Sequence, residues 1–198
     1  MPKDLQIIKE LQSRFGEFGY ELNNDKEVVV LGIWFNNVKN EDLGLIGELT
    51  SLQKLLLSDN KISKIEGLDK LTKLRELYLS DNEITKIEGL DSLTKLKKLD
   101  LEFNQITKIE GLDTLVGLQS LNLSYNQITE IGGIKKLTKL RKLDLGYNQI
   151  ETIQDLDKLV NSKELWVELG FNKILESEKR GFKTIRTENS RIDITYNM

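Results

Sequence analysis

From Leu52 to Asn161 the chain writes one 22-residue unit, L-x-x-L-x-L-x-x-N-x-I-x-x-I-x-x-L-x-x-L-x-x, five times in unbroken register. The first copy sets Leu52, Leu55, Leu57, Asn60, Ile62, Ile65, Leu68 and Leu71 on its columns. The second uses Leu74, Leu77, Leu79, Asn82, Ile84, Ile87, Leu90 and Leu93. The third runs from Leu96 through Asn104 to Leu115, the fourth departs only at Ile134, and the fifth runs from Leu140 through Asn148 to Leu159. A repeat of this length cannot bury its own apolar columns, whereas stacked copies share one continuous core.

The spacing inside the unit carries physical meaning. L-x-L has period two, the pattern of a short strand with one buried face. The following I-x-x-I-x-x-L-x-x-L has period three, which suits tight turns of 3₁₀ type or an irregular segment. Gly67, Gly89, Gly111 and Gly133 recur ahead of the leucines, where the backbone is expected to need a conformation closed to other residues. The recurrent Asn60, Asn82, Asn104, Asn126 and Asn148 are assigned to structure: an inward amide can satisfy backbone groups where strand turns into loop.

These residues resemble the leucine-rich repeat family in its 22-residue class, which includes the regulatory repeat subunit of type-one protein phosphatase. The resemblance implies an α/β fold, a curved right-handed solenoid with a parallel β-sheet on its concave side and short convex segments. It also implies the family's common function, binding other proteins, with a phosphatase regulatory subunit as a narrower version.

The ends deviate from the unit. Val30, Ile33, Phe35, Leu43, Ile46 and Leu49 fall on repeat columns, with Val38 in place of Asn and Asn40 in place of Ile, so residues 30–51 read as a divergent first repeat. Before it, Leu5, Ile8, Leu11, Phe15 and Phe18 follow helical spacing, and Glu27–Leu31 reads as a strand. Residues 1–29 are therefore expected to form an N-terminal helical cap over the open end of the stack. Residues 52–161 are the five regular repeats, and residues 162–198 a degenerate last repeat and C-terminal cap. In that last part Leu165, Val167, Leu169, Asn172 and Ile174 repeat the strand and turn, with two residues inserted within Val160–Leu165. Ile192, Ile194 and Tyr196 alternate as in a short closing strand.

Composition narrows the function. The chain has no Cys and no His, which removes thiolate chemistry, the commonest metal ligand and the usual general base. Charged residues reach 31% with a net charge of −3, against nucleic-acid or anionic-membrane binding. The start MPKDLQIIKELQSRF lacks the apolar run of a signal peptide, and no stretch approaches the roughly 18 apolar residues of a membrane span. A cytoplasmic protein, neither enzyme nor metalloprotein, without cofactor and most simply monomeric, is expected.

Binding residues are expected among the variable positions, because the repeated ones are committed to packing. The central x of L-x-L, read down the stack, gives Trp34, Leu56, Tyr78, Asp100, Asn122, Asp144 and Glu168. Just before the Asn column lie Asn37, Asp59, Asp81, Phe103, Tyr125, Tyr147 and Phe171. Trp34, Leu56 and Tyr78 would form an apolar patch, and Phe103, Tyr125, Tyr147 and Phe171 an aromatic run along one rim, beside Asp100, Asp144 and Glu168. Exposed aromatics flanked by charge suit a protein-binding surface, and the carboxylates suit a partner with a basic segment. Self-assembly through the concave face or an open end is the rival reading. Acid–base catalysis by the carboxylates is disfavoured because an open sheet gives them no water-excluding enclosure.

Overall fold

In the computed structural model, which describes residues 1–35, 37–153, 156, 164–174, 185–187 and 190–195, each L-x-L becomes a three-residue strand. The regular strands are β3 (Lys54–Leu56), β4 (Glu76–Tyr78), β5 (Lys98–Asp100), β6 (Ser120–Asn122) and β7 (Lys142–Asp144). They pair in parallel, one unit to the next, so that Leu55, Leu77, Leu99, Leu121 and Leu143 stand in one row. Every member of that row is buried, while the residues on either side of it remain half-buried or exposed. The alternation follows from strand geometry: successive side chains leave opposite faces.

The return path of each unit is a succession of tight turns. In the first unit Leu71 N–H donates to Leu68 O and Leu74 N–H to Leu71 O, each three residues back, and the next three units repeat the pair. Gly89 shows why glycine opens the path. Its φ is +70°, and a Cβ there would lie 2.0 Å from Ile65 O of the preceding turn. The asparagines behave as expected of structural amides. Asn82 donates to Leu57 O (2.9 Å) and Leu79 O (3.1 Å) and accepts Ile62 N–H (3.0 Å), tying two turns together. Asn104, Asn126 and Asn148 repeat the clamp, and Asn172 carries it into the last turn.

Strands flank the regular run at both ends. At the front, α1 (Lys3–Phe15) lays Ile7, Ile8 and Leu11 on the core, and a hairpin of β1 (Gly19–Leu22) and β2 (Val28–Gly32) meets β3. At the back, β8 (Glu164–Glu168) continues the parallel run. It pairs in parallel with β10 (Ser190–Thr195), which pairs antiparallel with β9 (Ile185–Thr187). Among the described residues this makes a ten-stranded sheet in the order β1-β2-β3-β4-β5-β6-β7-β8-β10-β9. The expected closing strand is β10, whereas Tyr196, Leu159 and the inserted residues at 160–163 lie outside the described residues. The β1–β2 hairpin was not foreseen.

The first turn corrects the sequence reading. Leu31 pairs with Leu55 and Gly32 with Leu56, so its L-x-L is Leu31–Gly32–Ile33, not Ile33–Trp34–Phe35. Val38 is buried and donates its N–H to Asn60, just as Ile62 donates to Asn82; it holds the isoleucine column, not the asparagine one. The strand of this turn thus lies 24 residues before its counterpart, although Leu43, Ile46 and Leu49 keep the 22-residue interval. The two extra residues fall between Val38 and Leu43, where the helix α2 (Asn40–Ile46) replaces the tight turn of the regular units.

Candidate functional site

The outward face of the sheet carries three parallel columns, and the corrected register fixes their membership. The central column reads Gly32, Leu56, Tyr78, Asp100, Asn122, Asp144 and Glu168. The column on the N-terminal side reads Val30, Lys54, Glu76, Lys98, Ser120, Lys142 and Trp166 by the same pairings. On the C-terminal rim stand Phe35, Asp59, Asp81, Phe103, Tyr125, Tyr147 and Phe171. All seven rim residues share a left-handed backbone with φ between 50° and 59°. Phe35, expected in the core, therefore belongs to this rim and is 73% exposed; Asn37, expected on the rim, shares the left-handed backbone but stands two residues past it in the corrected register.

Trp34 likewise leaves the central column, where the sequence reading set it, because the first strand ends two residues earlier than the 22-residue interval implies. Its ring nevertheless returns there. A Cβ on Gly32 would lie 2.0 Å from the indole Cζ3, so the absent side chain of Gly32 is what lets the indole lie over the strand. Trp34 stays 44% exposed and, with Tyr20, Val30, Gly32 and Leu56, lines an apolar depression of about 230 Å³. Tyr78 sits one strand on, half-buried, its hydroxyl donating to Glu76 (2.9 Å) and its ring 5.4 Å from Lys54 Nζ. Burial, and then that hydrogen bond to a carboxylate, pushes the Tyr78 hydroxyl up to about 12. Leu56 and Tyr78 thus face outward, as the alternation requires.

The central column turns polar from β5 onward. Asp100 accepts the Glu102 N–H (3.1 Å), Asn122 that of Ser124 (3.1 Å), Asp144 that of Gly146 (3.2 Å) and Glu168 that of Gly170 (2.8 Å). The one bond is made by aspartate, asparagine and glutamate alike, so it does not require charge. The charge is held at a cost. Burial pushes the Asp100 and Asp144 carboxyls above the ordinary aspartate value. Burial, and then the neighbouring negative Asp100, does the same to Glu102.

Beside them the rim aromatics stack on one another. Ring centroids of Phe103 and Tyr125 are 4.0 Å apart, of Tyr125 and Tyr147 4.1 Å, and of Tyr147 and Phe171 4.2 Å, with interplanar angles of 10–17°. Phe103, Tyr147 and Phe171 are 41–50% exposed. All four occupy a backbone region that disfavours side chains with a Cβ by roughly 1–2 kcal/mol each, and Asp59 and Asp81 are the better-suited types on that rim. Between ladder and carboxylates lies an open depression of about 270 Å³, lined by Glu102, Tyr125, Asp144, Tyr147, Glu168 and Phe171 among others. The structure so divides the eleven expected residues into an apolar end (Trp34, Leu56, Tyr78) and an aromatic–acidic end. Asp100 and Asn122 lie on the strands leading into the latter. Tyr20 and Phe35 escaped the sequence reading of the site; shifting the first turn by two residues recovers Phe35 on the rim and sets Gly32 in the central column.

Among the described residues no group of His, Cys, Asp or Glu is arranged to hold a metal ion, and no helix is long and apolar enough to cross a membrane. No curated protein matches the chain. Solved structures do. Internalin InlF of Listeria monocytogenes is 27% identical with a TM-score of 0.57, over 84% of this chain and 56% of its own length. Internalin C2 of the same organism is 26% identical with a TM-score of 0.61, over 98% and 93%. TLR13, solved in its complex with ssRNA13, is 33% identical with a TM-score of 0.60, over 66% of this chain and 20% of that one. The family model for leucine-rich repeats in two copies matches residues 50–90, 72–114 and 116–158, more than half of the sequence. With the repeat, its asparagine clamps and its stacked parallel strands all in place, this chain belongs to the leucine-rich repeat family.

Proposed function

We propose that the chain is a non-catalytic binding module that grips a protein or peptide on the concave face of its sheet. The observation that carries this reading is the aromatic ladder Phe103–Tyr125–Tyr147–Phe171, exposed but for the half-buried Tyr125 and held in an unfavourable backbone region beside carboxylates that burial makes costly to ionise. Residues that only had to fold would not be chosen this way. Asp100, Asp144 and Glu168 select a basic segment of the partner and speed its encounter, and Trp34, Leu56 and Tyr78 supply apolar anchors. The same carboxylates repel a phosphate backbone, which favours protein over nucleic acid as the partner. Nothing in the face's chemistry singles out a phosphatase among protein targets, and the open, shallow depression gives no enclosure for catalysis.

The test is capture of partners from native lysate by the wild-type chain and by the Trp34→Ala/Tyr78→Ala variant. A band retained by the first and lost by the second, with unchanged circular dichroism, is the expected result. Equal capture by both rejects Trp34 and Tyr78 as anchors of the docking surface.

A further inference from the structure

The two depressions on the concave face differ in chemistry and lie at a fixed separation. The first is apolar and centred on β2, where the Trp34 ring lies over Gly32 between Tyr20 of β1 and Leu56 of β3. The second is centred on β7, where the rings of Tyr125 and Tyr147 stack and the carboxylates of Glu102 and Asp144 line the same wall. Hydrogen-bonded strands are about 4.8 Å apart, so the five steps from β2 to β7 span about 24 Å, which an extended peptide covers in about seven residues at roughly 3.3 Å each. The concave sheet thus acts as a ruler, its divisions set by the parallel pairing.

We infer that the partner is an extended peptide segment that crosses the strands and carries a large apolar side chain about seven residues from an arginine. The apolar side chain occupies the Trp34–Leu56 depression. The guanidinium lies against the Tyr125–Tyr147 ladder with Glu102 and Asp144 as counter-charges. Arginine fits this wall better than lysine because its planar fork donates to two carboxylates at once, whereas the faces of Tyr125 and Tyr147 are covered by the neighbouring rings. Charge complementarity selects this occupant over a second copy of the chain, whose own concave strip would set carboxylate against carboxylate. The inference rests on the concave-face reading above and adds to it a composition and a spacing.

The experiment is selection from a displayed library of random peptides about fourteen residues long, enough to span both depressions at roughly 3.3 Å per residue. Three proteins are used as bait: the wild type, Glu102→Gln/Asp144→Asn, and Trp34→Ala/Leu56→Ser. The wild type should enrich peptides with an aromatic or large aliphatic residue about seven positions from an arginine, and the spacing should recur across unrelated sequences. The acid-to-amide bait should lose the arginine and keep the apolar residue; the apolar-site bait should do the reverse. Moving the arginine of a selected peptide by three residues, or about 10 Å, should weaken binding by about tenfold or more. Enriched peptides without a common spacing, or binding indifferent to that move, overturn the ruler and leave the concave-face reading standing. Peptides enriched equally on all three baits, or no enrichment on the wild type, overturn both. Circular dichroism keeps a misfolded bait out of the comparison. The Asp144→Asn change is safe for folding because Asn122 fills the same column with the same backbone bond.

Discussion

At the scale of single residues, one sheet face carries buried clamps and the other carries carboxyls that burial raises. Asn104 shows the first case. It donates to Leu79 O (2.9 Å) and Leu101 O (3.1 Å) and accepts the Ile84 N–H (2.9 Å), all in the buried interior. Asn104→Ala should therefore lower stability by about 2–4 kcal/mol, read as a fall in the urea midpoint, since it strands several buried backbone groups at once. A loss below about 0.5 kcal/mol would mean that the clamp is dispensable. Asp100 and Asp144 show the second case. Because burial already raises both carboxyls, Asp100→Asn/Asp144→Asn should leave the midpoint unchanged or raise it, within about 1 kcal/mol, while weakening capture of a basic peptide. A large loss of stability would show that the charges serve folding. The asparagine clamp was legible in the sequence because its spacing never varies. The acidic column was legible too, but not its cost, which depends on how neighbouring turns desolvate each carboxylate.

At the scale of elements, the N-terminal cap decides whether the stack has a sealed end. Helix α1 buries Ile8 and Leu11 against the first turn, and Asp4 accepts the N–H of Val28 at the start of β2 (2.9 Å). Glu48, ahead of β3, is gripped by Lys3 of α1 (2.7 Å) and by Lys70 of the next turn, and hydrogen bonds to those two ammoniums hold its carboxyl down to about 2. Leu11→Ala should cost about 2–5 kcal/mol, with loss of amide-exchange protection concentrated in α1, β1 and β2. Protection lost evenly along the whole sheet would contradict a cap that acts locally. Sequence periodicity found α1 and β2 but missed β1, whose four residues are all exposed and so leave no apolar trace. It also mistook the register of the first turn. A 22-residue interval holds for Leu43 onward, and only the helix α2, invisible to period-three counting, absorbs the two residues that shift Trp34 and Phe35 to the rim side.

At the scale of the molecule, the parallel run ends at both edges in an antiparallel strand, β1 at one and β9 at the other. A reversed terminal strand does not present the next turn of a continuing solenoid, which disfavours head-to-tail growth. Light scattering should thus give a mass of 22.8 kDa that does not rise across a concentration series; a mass that climbs with concentration would revive self-assembly. The pH response of the whole should split in two. Asp100, Asp144 and Glu102 have raised carboxyls, so the folded chain takes up their protons before the unfolded one does, and acidification relieves their cost to stability. The contribution of Glu48 runs the other way: present above the ordinary glutamate value, it is lost as pH falls toward about 2. Affinity for a basic peptide should fall on acidification, beginning above the usual carboxylate range, because in the proposed contact only ionised carboxylates would hold the cation; an affinity flat through that range would exclude them from the contact. The most direct measurement is amide chemical-shift mapping of the labelled chain during titration with such a peptide. The account predicts that the perturbed amides trace Gly32–Trp34, Leu56–Ser58, Asp100–Phe103, Asn122–Tyr125 and Asp144–Tyr147 along the outward sheet face. Shifts confined to the return turns, such as Gly67–Lys73 and Gly89–Lys95, would contradict it.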